Sequence, residues 1–528
     1  MSALKTYGTL RKDDTEVQFI ESAERQYRQQ PTMDPRTWFK DLTPYFLYIV
    51  LVATIGPMLF GYHLAELNTP QDVITCKKKS LFDTGLDKST LPQCIPMNDT
   101  QVGIVSSMFT LGGFMGAMAA GPAGNRYGRL RTMMATIFFF VLGPVFESLA
   151  PSIGVMAFGR LVSGLGAGAS IVVVPIYISE VSPPAEKGFF GSLVQVMVNF
   201  GIFTTQLLGY LLSYGQMWRL VLAIGGAIGA LGGIGLLFSA ESPKWTAGEG
   251  KGSKAKKMLL RIRGDKFDIE EEYATWGVHD DSDIPAEEET LLSSNNEHGI
   301  RPAVDAKGRK ENLSMWQAVA DPNNRKAIIG VVAVMIAQQL TGINSIIMYG
   351  VTLLADLLQS NSALLNLFVS LLNIVVTLGC APLIDKLGRK SCLLTSIAGM
   401  GVSSLLLGIG ILHEISILSA VAVLCFVGSF GIGLGPIPFI LAAELVDTEA
   451  VGATQGWALG ANWISTFIVA QFFPVVNGYL GKGKIYFIFA SVALFFWLFI
   501  GWWVPETKGK RNADEVWGRI PRVSERED

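Results

Sequence analysis

The sequence predicts an all-α membrane protein with twelve transmembrane helices in two six-helix bundles, joined by a polar central linker. Three observations predict it. Apolar runs recur along the chain, each near the roughly 20 residues that cross a bilayer. Half of the 528 residues are hydrophobic and only 16% are charged, against roughly 25% charged in soluble domains. Short motifs of the first half also return in the second at an offset of 260 to 265 residues.

The spans fall near 44–67, 101–123, 131–150, 154–178, 188–211 and 217–239 in the first half. In the second they fall near 327–354, 362–384, 391–411, 417–444, 452–477 and 484–504. The 57 glycines suit close helix approach in lipid. The divisions expected are a tail over 1–43, a bundle over 44–241, a linker over 242–326, a bundle over 327–504 and a tail over 505–528. In the linker, Lys254 to Arg263 reads as a short amphipathic helix with Met258, Leu259 and Ile262 on one face. The acidic stretch from Asp280 to Glu289 reads as solvated and unstructured.

Positive charge lies in alternate loops. Arg126, Arg129 and Arg131 follow span 2, Lys187 follows span 4, and Lys244 to Lys266 follow span 6. Lys386, Arg389 and Lys390 follow span 8, and Lys508, Lys510 and Arg511 follow span 12. The positive-inside rule makes that side cytosolic, together with both termini. The span 1–2 loop, with Lys77 to Lys79, is the exception. The N-terminal 41 residues lack the apolar core of a signal peptide.

The repeated motifs share that side. Gly124-Asn125-Arg126-Tyr127-Gly128-Arg129 matches Ile384-Asp385-Lys386-Leu387-Gly388-Arg389, Glu180 matches Glu444, and Glu241 matches Glu506. Glycine permits the tight turn. The arginines can bond helix-end carbonyls and pair with the glutamates. Arg126, Arg129, Glu180, Lys187, Glu241, Lys386, Arg389, Glu444 and Glu506 are therefore candidates for an inner latch between the bundles. The alternative is a topology signal alone. The repeat itself argues a pseudo-twofold with a binding site between the halves.

The densest polar group inside an apolar run is Gln338-Gln339-Leu340-Thr341-Gly342-Ile343-Asn344, with Tyr349 beyond it. Amides donate and accept at once, so the group suits a neutral, hydroxyl-rich ligand such as a sugar; the other reading is helix-to-helix glue. Span 10 carries Gly431, Gly433, Gly435, Pro436 and Pro438, which unwind a helix. Phe430 and Phe439 bracket the break, as stacking surfaces for a ring or as packing.

Cys76 and Cys94 flank one polar loop and are a disulfide candidate if that loop is non-cytosolic. Asn98-Asp99-Thr100 in the same loop is a glycosylation candidate. Cys380, Cys392 and Cys425 read as packing residues. Asn312-Leu313-Ser314 is a second sequon, on the cytosolic side. Leu291 and Leu292, after Glu287 to Glu289, form an acidic dileucine pattern that sorting adaptors read, and Tyr7 to Leu10 forms a tyrosine-based one. Both favour the vacuole or lysosome over the plasma membrane. The composition offers no basic tract for nucleic acid, and no metal cluster, phosphate loop or nucleophile–base pair for an enzyme; no cofactor is expected.

Together with Glu180-Val181-Ser182-Pro183, Glu241-Ser242-Pro243-Lys244, Gly435-Pro436-Ile437-Pro438 and Pro505-Glu506-Thr507-Lys508-Gly509, these motifs resemble the sugar porter family of the major facilitator superfamily. The match runs from about Phe60 to Gly509. Phe60-Gly61-Tyr62 and Asn68-Thr69-Pro70-Gln71 resemble the glucose-facilitator branch, and the whole pattern resembles fungal, in part vacuolar, relatives. The resemblance implies alternating access and a central hexose site. Its contacts carry over to Gln195, Gln338, Gln339, Asn344, Asn373 and Trp463, with Asn462 and Phe430 beside them and Tyr349 as an outer gate. Phe439 stands where facilitators usually have tryptophan, Gly431 where they have glutamate, and Met348 where they have the first gate tyrosine.

The resemblance also frames coupling. Proton-coupled members usually carry aspartate after Phe-Gly-Tyr, near an arginine of span 4, and passive members carry asparagine. This chain has His63, with Arg160 in span 4 and Glu66 one turn on. His63, Glu66 and Arg160 are thus the coupling candidates, with passive transport the favoured reading and protons the alternative. A polyol or pentose cargo and a non-transporting sensor stay open, although sensors of the family carry longer tails.

Overall fold

The structure is a computed structural model. It describes residues 42–77, 91–264 except 184 and 185, 269–274, and 315–519 except 359–360, 447–449, 482 and 511–512. Twelve of its helices are long and apolar enough to cross a membrane. Spans 1 to 6 are Pro44–Ala65, Asp99–Tyr127, Arg129–Ser148, Ile153–Val181, Lys187–Leu212 and Trp218–Leu237. Span 7 is broken into Pro322–Leu340 and Ile343–Leu358. Spans 8 and 9 are Asn361–Leu387 and Arg389–Leu412. Span 10 is broken into Ser416–Ile432 and Ile437–Glu444, and spans 11 and 12 are Val451–Leu480 and Ile485–Trp503.

Local chemistry sets the helix starts. Thr43 caps span 1 by accepting from the Phe46 amide at 3.1 Å, with Pro44 in the first turn. Asn98 and Gln101 form a capping box on span 2. Asp321 caps span 7 ahead of Pro322, so that span starts a turn earlier than its apolar run.

Within the first bundle, spans 2 and 4 pack through paired small residues. A Cβ on Gly112 or Gly116 would strike the Leu161 or Leu165 carbonyl, and one on Gly164 or Gly168 would strike that of Phe109 or Gly113. That approach supplies dispersion contact where lipid offers no hydrophobic drive. Across the bundles, span 2 lies against span 11 and span 8 against span 5. Exchanging each span for its repeat counterpart, 2 for 8 and 11 for 5, turns the first pair into the second, the relation a pseudo-twofold requires.

Two faces are distinguishable. One carries the disulfide between Cys76 and Cys94, with Cα atoms 5.4 Å apart. There Trp218 donates to the Gln93 carbonyl at 2.9 Å. Arg219 donates to the Ser148, Ala150 and Pro92 carbonyls at 2.8 to 2.9 Å. The opposite, basic face carries the Gly-Arg turns and the linker helix Gly252–Arg263. That helix buries Ala255, Leu259 and Ile262. It is tied to the first bundle by Thr43 donating to the Ile262 carbonyl and Arg263 donating to that of Val181, both at 2.6 Å. The expected sorting patterns at Tyr7 and at Leu291 and Leu292, the acidic stretch and the Asn312 sequon lie outside the described residues.

Candidate functional site

The centre is built from the two broken spans. Gly342 adopts φ +99°, a region that favours glycine, and separates the halves of span 7. In span 10 the helix stops at Ile432, and the Leu434 and Gly435 carbonyls are left outside it. Gln338 supplies the missing donor, bonding Leu434 O at 2.6 Å and Gly435 O at 3.2 Å through Nε2. Its own oxygen accepts from Gln339 at 3.0 Å and from Asn462 of span 11 at 2.5 Å. Asn344 donates to Gln339 at 2.6 Å. Four candidates from spans 7 and 11 thus form one buried amide chain, tied to the span 10 backbone.

A second amide group bridges the bundles. Gln195 donates to Asn199 at 3.3 Å, and Asn199 donates to Thr377 at 2.9 Å and lies 3.4 Å from Asn373. Phe430 lies against Gly435, and Gly431 packs on Val376 near the Asn373 amide. The break in span 10 therefore abuts both groups. A small cleft of about 10 Å³ is lined by Asn373, Gln206, Asn366 and Ser370. Phe439, by contrast, is 39% exposed.

Trp463 is 2% exposed, and its Nε1 has no partner among the described residues. Its ring occupies the space that Gly113 of the other bundle leaves empty, and it meets Phe60 edge-on at 5.8 Å. Tyr349 donates to the Ala470 carbonyl at 2.6 Å and stacks on Phe473 at 5.4 Å. Toward the disulfide face, Asn68 binds the Ile347 carbonyl and the Val351 amide at 2.8 and 3.0 Å. Ser107 donates to Gln471 at 2.8 Å.

On the basic face the repeated motifs do the same job twice. Arg129 grips Glu180 with two bonds of 2.9 Å, and Arg389 pairs with Glu444 at 3.1 Å. Glu241 accepts from the Arg129 and Leu130 amides, and Glu506 from those of Arg389 and Lys390. Each carboxylate therefore caps the helix that follows the glycine turn. All these pairs join helices of one bundle, so in this structure they staple each half rather than bridge the two. Arg126 stands over the Tyr127 ring at 5.5 Å, and Lys187 and Lys386 are exposed. Asn98 is exposed at the start of span 2.

His63, Glu66 and Arg160 come together in the first bundle. Arg160 is ion-paired with Glu66 and donates to the His63 carbonyl at 2.7 Å. His63 Nδ1 lies 2.9 Å from Glu66. The sequence reading missed a fourth member, Glu147 of span 3, and its donor Ser163 at 2.6 Å. It also missed Asn199 and Gln206. The signal was available, because an ionisable or amide side chain inside an apolar run is a functional candidate by default.

Two pseudo-symmetric bundles closed on each other around buried amides define a membrane carrier of small polar solutes. The family model described as "Sugar (and other) transporter" matches residues 49–514, so the chain belongs to that family, the sugar porters of the major facilitator superfamily. It is a transporter and not an enzyme. Vacuolar protein sorting-associated protein 73 of Saccharomyces cerevisiae is 33% identical over 90% of this chain and 96% of its own. The rat facilitated glucose transporter member 3 of solute carrier family 2 is 28% identical over 90% and 92%. The fold matches a partially occluded, inward-open xylose transporter XylE from E. coli with a TM-score of 0.69. That match is at 22% identity and covers 89% of this chain and all of that one.

Proposed function

We propose that the protein carries a monosaccharide, a hexose such as glucose, by alternating access between its two bundles. The observation that carries this reading is the amide chain Gln338–Gln339–Asn344–Asn462, held against the unwound carbonyls of span 10. Broken helices meeting at mid-membrane place donors and acceptors where a hydroxyl-rich ligand can use them. Gln195, Asn373, Trp463 and Phe430 complete the walls, with Phe439 at the margin and Tyr349 as the gate on the disulfide side. The bonds of Asn68 and Ser107 across the bundles support a state closed on that side. The nine charged latch candidates would then meet across the halves only after the bundles rock the other way. The names of the relatives support a sugar cargo, and the vacuolar name among them supports a vacuolar membrane. The positive-charge pattern supports cytosolic termini and an Asn98 available for glycosylation in the lumen.

Counterflow tests the carrier. Purified protein in liposomes loaded with unlabelled glucose is given labelled glucose outside. Transient accumulation of label, lost in Gln338→Ala, is the expected result. A folded wild-type protein that gives none rules out glucose as cargo.

A further inference from the structure

We propose that Asn199 of span 5 clasps the seam between spans 5 and 8 while the carrier is empty, and that arriving cargo opens the clasp. Asn199 is then a positioning residue that lets the loaded carrier rock faster than the empty one. The inference deepens the carrier reading and rests on it for what opens the clasp.

Two polar stripes face each other across the bundles. Span 5 carries Gln195, Asn199 and Gln206 at helical spacing, and span 8 carries Asn366, Ser370, Asn373 and Thr377. Asn199, Gln206 and the four span 8 residues are 2 to 9% exposed. On the other faces, Phe200, Leu371 and Val375 are 44 to 59% exposed. The polar side chains therefore turn away from lipid and onto the seam.

Asn199 joins the stripes at the level of the proposed cargo contacts. Its oxygen accepts from Gln195 of its own span at 3.3 Å and from Asn373 of the other bundle at 3.4 Å. Its nitrogen donates to Thr377, also of the other bundle, at 2.9 Å. Both lone pairs of that oxygen are thus taken by residues proposed to hold the sugar. The two bonds to it are longer than a well-formed N–H···O bond, whereas the bond to Thr377 is not. A sugar hydroxyl placed between Gln195 and Asn373 would accept from either amide at closer range. The Asn199 oxygen would then lose its cross-bundle bond, and of its bonds only that to Thr377 would still span the seam. At the span 2–11 seam the cross-bundle bond joins Ser107 to Gln471 at 2.8 Å, and neither of these is a proposed cargo contact. Cargo can therefore loosen the span 5–8 bonds by direct competition. The empty carrier still returns, held back by one bond more than the loaded one. The net worth of a hydrogen bond makes that a factor of about two to ten in rate.

Full-length protein in liposomes loaded with labelled glucose gives the two rates. Efflux into saturating unlabelled glucose should run about two to ten times faster than efflux into sugar-free buffer. Asn199→Leu, nearly isosteric and without an amide, should bring that ratio to about one by speeding efflux into sugar-free buffer. Thr377→Val removes a bond that cargo does not touch, so it should speed both fluxes and keep the ratio. A purely structural asparagine would move both fluxes together. Equal fluxes in the wild type, an unchanged ratio in Asn199→Leu, or a ratio lost in Thr377→Val would overturn the proposal. A readout without cargo separates this from failure of the carrier reading. In sugar-free samples, hydrogen–deuterium exchange should rise in spans 5 and 8 of Asn199→Leu and stay unchanged in spans 2 and 11. Wild-type exchange retained in spans 5 and 8 would remove the clasp whatever the cargo. A wild type that gives no glucose counterflow defeats the carrier reading, and the hydrogen-exchange result still decides the clasp. Should Asn199→Leu not fold, Asn199→Ser, too short to reach Asn373, carries the same expectations.

Discussion

At the scale of residues, the motifs were legible as types but not as bonds. Glu241 and Glu506 could be picked out by their offset as latch candidates, but what they touch in this state could not. The structure shows each of them reaching the free amides that open the next helix. Gly128 is the hinge of that arrangement. Its φ is +96°, and a Cβ there would collide with the Glu241 carboxylate. Gly128→Ala should therefore destabilise the first bundle by roughly 1–3 kcal/mol. Thermal unfolding of purified protein would show it as a lowered midpoint, and an unchanged midpoint would mean the turn relaxes freely. Glu147 was readable as a lone carboxylate near the end of span 3. Its partners were not, because Ser163 and Glu66 lie on other helices and only packing brings them together.

Among the helices, number and order were visible in hydropathy, and the breaks in spans 7 and 10 in glycine and proline. The seam between the bundles was not. Nothing in the spacing of Ser107 and Gln471 says that they meet, since they are 364 residues apart. Their contact, the close fit of Gly113 on Trp463, and Asn199 against Thr377 mark which helices would separate if the bundles rock as proposed. Ser107→Cys with Gln471→Cys should cross-link under mild oxidant and stop counterflow, and a reductant should restore it. Wild-type protein taken through the same cycle controls for the Cys76–Cys94 bond. Undiminished counterflow in the cross-linked protein would mean that spans 2 and 11 stay together through the cycle.

For the molecule as a whole, the repeat announced the pseudo-twofold, and the structure realises it in the paired crossings of span 2 with 11 and span 8 with 5. The address expected from the sequence falls elsewhere, in a linker stretch beyond the described residues. If Leu291 and Leu292 are read by sorting adaptors, changing both to alanine should move a tagged protein from the vacuole to the cell surface. Microscopy that finds it still on the vacuole would discard that signal.

The amide chain at the centre has one more consequence. Gln338, Gln339, Asn344 and Asn462 are already bonded to each other and to the span 10 backbone. A sugar bound there as proposed would exchange bonds rather than add them, and each exchange would net only about 0.5–1.5 kcal/mol. Such a centre would grip loosely and let go quickly. It also stays satisfied when empty, so the unloaded carrier can return across the membrane without waiting for cargo.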